Sequence, residues 1–309
     1  MKKILVIGSN GQLGTELFQV LSTKFGSKNV IASDISAYSQ NNGLFEQLDA
    51  CDAQGLAAIV QRHKIQHVYH LAAILSAKGE QNPVQSWDLN MKTLLNVLEL
   101  GRKGMVERIF WPSSIAVFGP DTPKEQTDQH AVTNPNTVYG ISKLAGEKWC
   151  QYYFDKFGVD VRSVRYPGLV GHKAMPGGGT TDYAIEIFHK AVLNQSYDCF
   201  LGPESSMPMM YMDDAIRATL LLMEAPSNEL KIRTSYNLSG LSFTPAALAA
   251  EIQIHYPNFQ VNYKPDFRQA IADSWPSTID DQMARMDWHW QQSFDLPKMT
   301  LEMLKGLQR

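Results

Sequence analysis

Tyr139 and Lys143 stand four residues apart in Tyr139-Gly-Ile-Ser-Lys143, and a hydroxyl pair, Ser113-Ser114, lies upstream of them. On a helix, a spacing of four puts both side chains on one face, one turn apart. A phenol ordinarily titrates near about 10. An ammonium beside it favours the phenolate by charge attraction, and a tyrosine held in that way can take a proton from an alcohol. The spacing alone is common, because helices also pair aromatics with lysines for packing and solubility. Its weight comes from the elements that would position it, beginning with the first fourteen residues.

Lys3 to Gly14 reads KILVIGSNGQLG. Ile4-Leu-Val-Ile7 is a continuous apolar run, as expected of a strand buried on both faces of a parallel sheet. Gly8-x-x-Gly11-x-x-Gly14 follows at once, and Thr15-Glu-Leu-Phe-Gln-Val-Leu then carries a helical pattern. Glycines so placed permit a tight turn, close approach of backbone to a pyrophosphate, and close helix–strand packing, while N–H groups at the helix start hold phosphates. Asn10, Gln12 and Leu13, between those glycines, are expected in the same cradle. A second strand, Val30-Ile-Ala-Ser, ends at Asp34, twenty residues after Gly14, with Ile35 next. A carboxylate there accepts hydrogen bonds from a ribose 2′-hydroxyl and repels a 2′-phosphate, which favours NAD over NADP. Asp49, in Asp49-x-x-Asp52, either approaches the adenine or serves a helix cap.

With 309 residues, 44% hydrophobic residues and a net charge of −3, the composition is that of a soluble globular protein. It makes no electrostatic case for binding nucleic acid or an anionic membrane. The run Ile4–Ile7 breaks at Gly8, too short for the apolar region of a signal peptide, and no stretch approaches a membrane span. Cys51, Cys150 and Cys199 are scattered and suit a reducing cytoplasm. Neither they nor the eight histidines form a metal-ligand pattern, so no metal is expected.

Further strands are expected at 68–71, 108–113 and 161–165, between helices around 54–63, 86–103 and 139–157. This alternation predicts an α/β fold, a Rossmann-like doubly wound parallel sheet. After Tyr166-Pro-Gly168 the composition changes, and helices follow near 182–193, 213–224 and 246–255, with a late strand at 236–240. The expected division is an NAD-binding domain of residues 1–169 with about 209–240 returning to it, and a smaller C-terminal substrate-binding lobe of about 170–208 and 241–309.

Together these features resemble the extended short-chain dehydrogenase/reductase family over most of the chain. The resemblance rests on the glycine turn, His70-Leu-Ala-Ala73, Asn90, Trp111-Pro-Ser-Ser-Ile-Ala-Val-Phe-Gly119, Tyr139-x-x-x-Lys143, Tyr166-Pro-Gly168, Asp213-Asp-Ala215 and Arg285-Met-Asp-Trp288. It implies that Leu71, Ala72, Ala73, Asn90 and Tyr166 lie beside the dinucleotide. It also implies that Ser114, with Ser113 as the alternative, binds the reacting oxygen next to the base Tyr139. Lys143 would hold the nicotinamide ribose and depress the tyrosine pKa.

Within that family the chain is similar to the short-chain type of L-threonine 3-dehydrogenases, through Leu75-Ser76, Met175-Pro-Gly-Gly-Gly-Thr-Thr-Asp-Tyr-Ala184, Pro208-Met-Met-Tyr-Met-Asp-Asp214 and Ser274-Trp-Pro276. The similarity implies oxidation of the threonine Cβ hydroxyl to give 2-amino-3-ketobutyrate, with hydride passing to NAD. Ser76, Thr180, Thr181 and the backbone of 177–179, including Gly179, would then supply polar contacts, and Trp275 would close over the methyl group. Thr180-Thr181-Asp182 equally suits a helix N-cap, and Trp275 a core aromatic; His172 and Lys173 are expected at the loop surface. The alternative is a nucleotide-sugar 4-epimerase or dehydratase, which must neutralise a diphosphate. Arg217, Arg233, Arg268 and Arg285 form no local cluster for that task. A homodimer is expected through the helix beginning near Tyr139, which has Trp149, Tyr152, Tyr153 and Phe154 to bury.

Overall fold

The computed structural model describes residues 2–37, 43–175 and 177–308. The apolar run after the N-terminus forms strand β1 (Ile4–Ile7), buried along its whole length. Around it lie β2 (Val30–Asp34), β3 (Leu44–Gln47), β4 (His67–His70), β5 (Arg108–Phe110), β6 (Ser113–Ser114), β7 (Val161–Arg162) and β8 (Val164–Tyr166). The main sheet is six-stranded, ordered β3-β2-β1-β4-β5-β7, with every pair parallel. The winding reverses between β1 and β4, and sheets of this kind open a crevice beyond the carboxyl ends of their strands at that point.

Strand β6 continues the line of β5 beyond Trp111-Pro112, where Pro112 has no N–H to give a ladder. It pairs in parallel with β8, setting Ser113 opposite Arg165 and Ser114 opposite Tyr166. Helices α1 (Gln12–Phe25), α2 (Ala53–His63), α3 (Ser76–Gln81), α4 (Pro83–Arg102) and α5 (Val138–Phe157) connect these strands. Alternate β1 residues serve opposite faces, as the strand period requires. Leu5 and Ile7 pack with Leu94, Leu98 and Cys150, whereas Ile4 and Val6 pack with Leu17, Tyr69 and Phe110.

Beyond β8 come β9 (Gly168–Val170), α6 (Tyr183–Val192), β10 (Tyr197–Cys199), β11 (Met207–Tyr211), α7 (Met212–Glu224), β12 (Tyr236–Asn237) and β13 (Leu241–Phe243). Then follow α8 (Pro245–His255), β14 (Val261–Tyr263), α9 (Arg268–Ser274), α10 (Gln282–Trp288) and α11 (Leu296–Leu307). A third core gathers Phe188, Met209, Leu248, Trp275 and Met303 from these elements.

Several boundaries differ from expectation. Helix α4 starts at Pro83 rather than 86, because proline at the first helical position gives up an N–H that is unpaired there anyway. The expected strand at 161–165 divides at Ser163, and the one at 236–240 stops at Asn237. Among the described residues no helix is long and apolar enough to cross a membrane.

Candidate active site

A cleft of about 650 Å³ lies where β1, β4, β6 and β8 end, and its wall takes in Gly8, Leu71, Ser114, Tyr139, Lys143 and Tyr166. The glycine turn forms one side. Gly8 has φ +83°, and a Cβ on Gly14 would lie 2.1 Å from the Gly8 carbonyl oxygen, so this packing excludes any side chain there. Helix α1 begins behind Gly11 with no side-chain cap, which leaves its first-turn N–H groups to a ligand. Gln12 Nε2 is buried with no partner among the described residues. Asn10 and Leu13 line the same wall. These features fit a dinucleotide pyrophosphate.

Asp34 closes the end of β2. Its Oδ2 accepts from Asn10 N at 3.1 Å and its Oδ1 from Ser36 N at 3.1 Å, which fixes the carboxylate against the glycine turn. Ile35 beyond it is exposed. Like charge and a lost hydrogen bond should therefore disfavour a 2′-phosphate. The expected result is a higher kcat/KM with NAD than with NADP for the wild type; equal or better use of NADP would remove Asp34 from this role.

Leu71 and Ala73 line the cleft, whereas Ala72 packs on the turn: a Cβ on Gly8 would lie 2.7 Å from Ala72 N. Asp49 stands outside. It is exposed and accepts from Cys51 N at 2.8 Å, while Asp52 is the N-cap residue of α2. Asn90 points its amide at backbone rather than into the cleft. Its Oδ1 accepts from Ile74 N at 2.9 Å, and its Nδ2 donates to Ile74 O and Ser142 Oγ, tying segment 71–76 to α4 and α5. The hydroxyl of Tyr166 turns away towards α7, where it meets Thr219 and Ala215.

The reacting groups come from α5 and β6. Thr137 caps α5 by accepting from Gly140 N at 3.1 Å, which starts the helix in time to bring Tyr139 and Lys143 to one face. Lys143 Nζ lies 5.5 Å from the centre of the Tyr139 ring, donates to Pro112 O at 2.6 Å, and sits over Trp111. Burial pushes the Tyr139 phenol up to about 12, and the facing Ser114 hydroxyl partly offsets this. Burial also pulls Lys143 down to about 7, against the opposing pull of Cys150 and Glu147. Sequence alone suggested that Lys143 would lower the tyrosine pKa. In the protein by itself the direction is upward, because both groups lose water together.

Ser113 and Ser114 are separated by their environments. Ser113 is buried and donates to Glu147 Oε1 at 2.7 Å. Glu147 in turn accepts from Arg165 Nε at 2.9 Å and Nη2 at 2.8 Å. Ser114 instead faces Tyr139.

On the opposite wall, Ser76 and Thr180 hydroxyls lie 3.2 Å apart, linking α3 to the loop before α6. Thr181 packs on Gly168, where a Cβ would meet its Cγ2 at 2.6 Å. The glycine backbone expected to hold a ligand is already engaged: Gly178 N and Gly179 N donate to Asp182 Oδ2 at 2.8 and 2.7 Å. Pro176 lies outside the described residues. Trp275 is both a cleft wall and a core residue, only 5% exposed.

Two charged cleft residues escaped sequence reasoning. Lys173, expected at the surface, lines the cleft and pairs at 3.1 Å with the buried Glu16 of α1. Asp182 also lines it, where sequence offered only a helix cap. The four arginines are occupied elsewhere: Arg217 with Asp214 at 2.7 Å, Arg233 with Asp160 at 3.2 Å, Arg268 with Asp266 at 2.7 Å, and Arg285 with Asp281 at 2.6 Å. Among the described residues, the cations lining the cleft are Lys143 and Lys173.

A glycine turn, an acidic strand end and a Ser-Tyr-Lys group around one crevice invite comparison with known proteins. The model of the NAD dependent epimerase/dehydratase family matches residues 4–239. The chain belongs to this family. The epimerase/dehydratase family takes NAD, in agreement with the cradle and Asp34. An uncharacterised epimerase/dehydratase of Staphylococcus haemolyticus is 48% identical, covering 100% of this chain and 98% of that protein. Among solved structures, the holo form of an L-threonine dehydrogenase from Cupriavidus necator is 56% identical, with a TM-score of 0.97 and 99% of each chain covered. A monomeric L-threonine 3-dehydrogenase from a metagenome is 50% identical, with a TM-score of 0.96 and 98% of each chain covered.

Proposed function

We propose that this family member oxidises L-threonine at its Cβ hydroxyl to 2-amino-3-ketobutyrate, as part of threonine catabolism. The observation that carries the reading is a cleft with a Ser-Tyr-Lys group at one wall, hydroxyls at the other, and no arginine among its described lining residues. A diphosphate clamp ordinarily uses such arginines. The names of the similar solved structures point the same way.

Bound at the glycine turn, NAD supplies the acceptor for the Cβ hydride. The chain does the rest. Ser114 donates to or accepts from the substrate hydroxyl and holds it against Tyr139, which takes the proton at its phenolic oxygen. Tyr139 does this as its phenolate, whose negative charge Lys143 stabilises before the transfer, and it ends the step as a neutral phenol. Ser76, Thr180 and Thr181 offer hydroxyls to the substrate carboxylate. Trp275 gives the methyl group an apolar wall and keeps water out.

Serine lacks only the methyl, so it should lose about 1–3 kcal/mol in transition-state binding relative to threonine. Allo-threonine reverses the handedness at Cβ and should react poorly. Thr180→Ala should lose about 1.5–3 kcal/mol in kcat/KM if its hydroxyl meets the carboxylate. Steady-state kinetics on the three amino acids test this. Epimerisation of UDP-glucose or UDP-galactose, with no threonine-dependent NADH, would favour the nucleotide-sugar alternative.

We place the cofactor domain at residues 1–169 with about 209–240, and the substrate lobe at about 170–208 and 241–309. We also propose a homodimer through α5, which exposes Trp149, Tyr152 and Phe157. Tyr153, expected on that face, turns inward to Glu99 at 2.8 Å. A cytoplasmic setting would keep the three free thiols reduced.

A further inference from the structure

We propose that Asp182 is the ammonium acceptor of the cleft, the group that selects an α-amino alcohol over other alcohols. The proposal rests on the amino-acid reading above and deepens it.

Among the described residues lining the cleft, Asp182 is the one carboxylate. Its two oxygens are used unequally. Oδ2 accepts from both Gly178 N and Gly179 N, which leaves Oδ1 with no hydrogen-bond partner among the described residues. Although Asp182 is only 5% exposed, its Oδ1 is not sealed off and remains open to solvent. A carboxylate held in a largely buried side chain, with one oxygen fixed by backbone and the other free, is a ready acceptor for a cation. The cation pairs with it more strongly there than at an open surface. Burial indeed raises the Asp182 carboxyl above its ordinary value, the two backbone bonds offsetting this only in part.

Position matches the need. Asp182 follows Thr180 and Thr181 directly, and Thr180 meets Ser76 on the same wall of the cleft. A zwitterion therefore meets hydroxyl groups and an anion within one loop. Lys173, the nearest cation of that loop that lines the cleft, is already paired with Glu16. The same carboxylate would repel a diphosphate brought to this wall, which adds a repulsive element to the missing arginine clamp.

Asp182→Asn separates recognition from loop capping, because an asparagine carbonyl still accepts from Gly178 N and Gly179 N. For Asp182→Asn, kcat/KM with L-threonine is expected to fall by about 30-fold or more, the scale of a hydrogen bond between charged groups. (R)-3-hydroxybutyrate keeps the alcohol and carboxylate but lacks the ammonium, so its inhibition constant should stay unchanged or improve. NAD binding and thermal midpoint should stay at wild-type values. Threonine kcat/KM within about threefold of wild type would overturn the proposal, as would equal weakening of threonine and 3-hydroxybutyrate, which marks a purely structural role. Those outcomes leave wild-type threonine oxidation standing. A wild type that oxidises no threonine would bring down the functional reading and this proposal together.

Discussion

Tyr139→Phe should lower turnover for alcohol oxidation by about 10²–10⁴-fold, the usual contribution of a positioned acid–base group. The substitution keeps the ring, which packs against the C-terminal core, and removes only the oxygen that faces Ser114. NAD affinity should hardly change. The pH profile should carry the same signature. With the phenol pushed up to about 12, little phenolate exists near neutrality, and its share grows with rising pH. Lys143, drawn down to about 7, loses its charge over the same range and withdraws part of its support. The wild-type kcat/KM should therefore rise between about pH 7 and about pH 9 by less than tenfold per unit. Tyr139→Phe should lose that rising limb. Near-normal turnover with chemistry rate-limiting would contradict the assignment.

Arg165→Met should produce the largest loss of stability, about 3–5 kcal/mol, because it strands a buried carboxylate. Glu147 is 1% exposed and receives two of its bonds from this guanidinium. Arg165 also donates to Gln129 O and Asn237 Oδ1, both at 3.0 Å, and lies over Phe118. The pair thus joins α5, β8 and β12 behind the reacting groups, and Ser113 rests its hydroxyl on the same carboxylate. Denaturant midpoints of Arg165→Met and of Arg165→Met with Glu147→Leu decide the matter. The double variant should regain part of the loss, since no charge is left alone. A single-variant cost below about 1 kcal/mol would show that the pair is not structural.

The cofactor half of the site was legible in sequence because its physics is local. A doubly buried parallel strand must be continuously apolar, a phosphate turn must be glycine-rich, and an i,i+4 pair on a helix shares a face. What depended on long-range contacts was hidden. Ser113 and Ser114 are chemically identical, and strand alternation sends them to opposite sides; only the fold shows that Glu147 takes the first. Lys173 reads as a loop lysine until Glu16, distant in sequence, is brought beside it. Asp182 reads as a helix cap until the cleft is seen to reach it. Strand β11 was missed because Met207-Pro-Met-Met-Tyr211 is poor in β-branched residues, yet pairing with β9 and β13 makes it a strand. Tyr166 lines the cleft and Asn90 does not, and the polar atoms of both serve the scaffold.

The most direct test of threonine oxidation at Cβ uses L-threonine deuterated at that carbon, with NAD and the wild-type protein. Reduced cofactor should form with the deuterium on its nicotinamide ring, and 2-amino-3-ketobutyrate should appear in equal amount. Reduced cofactor without the label, or no threonine-dependent reduction while UDP-glucose is epimerised, would contradict it.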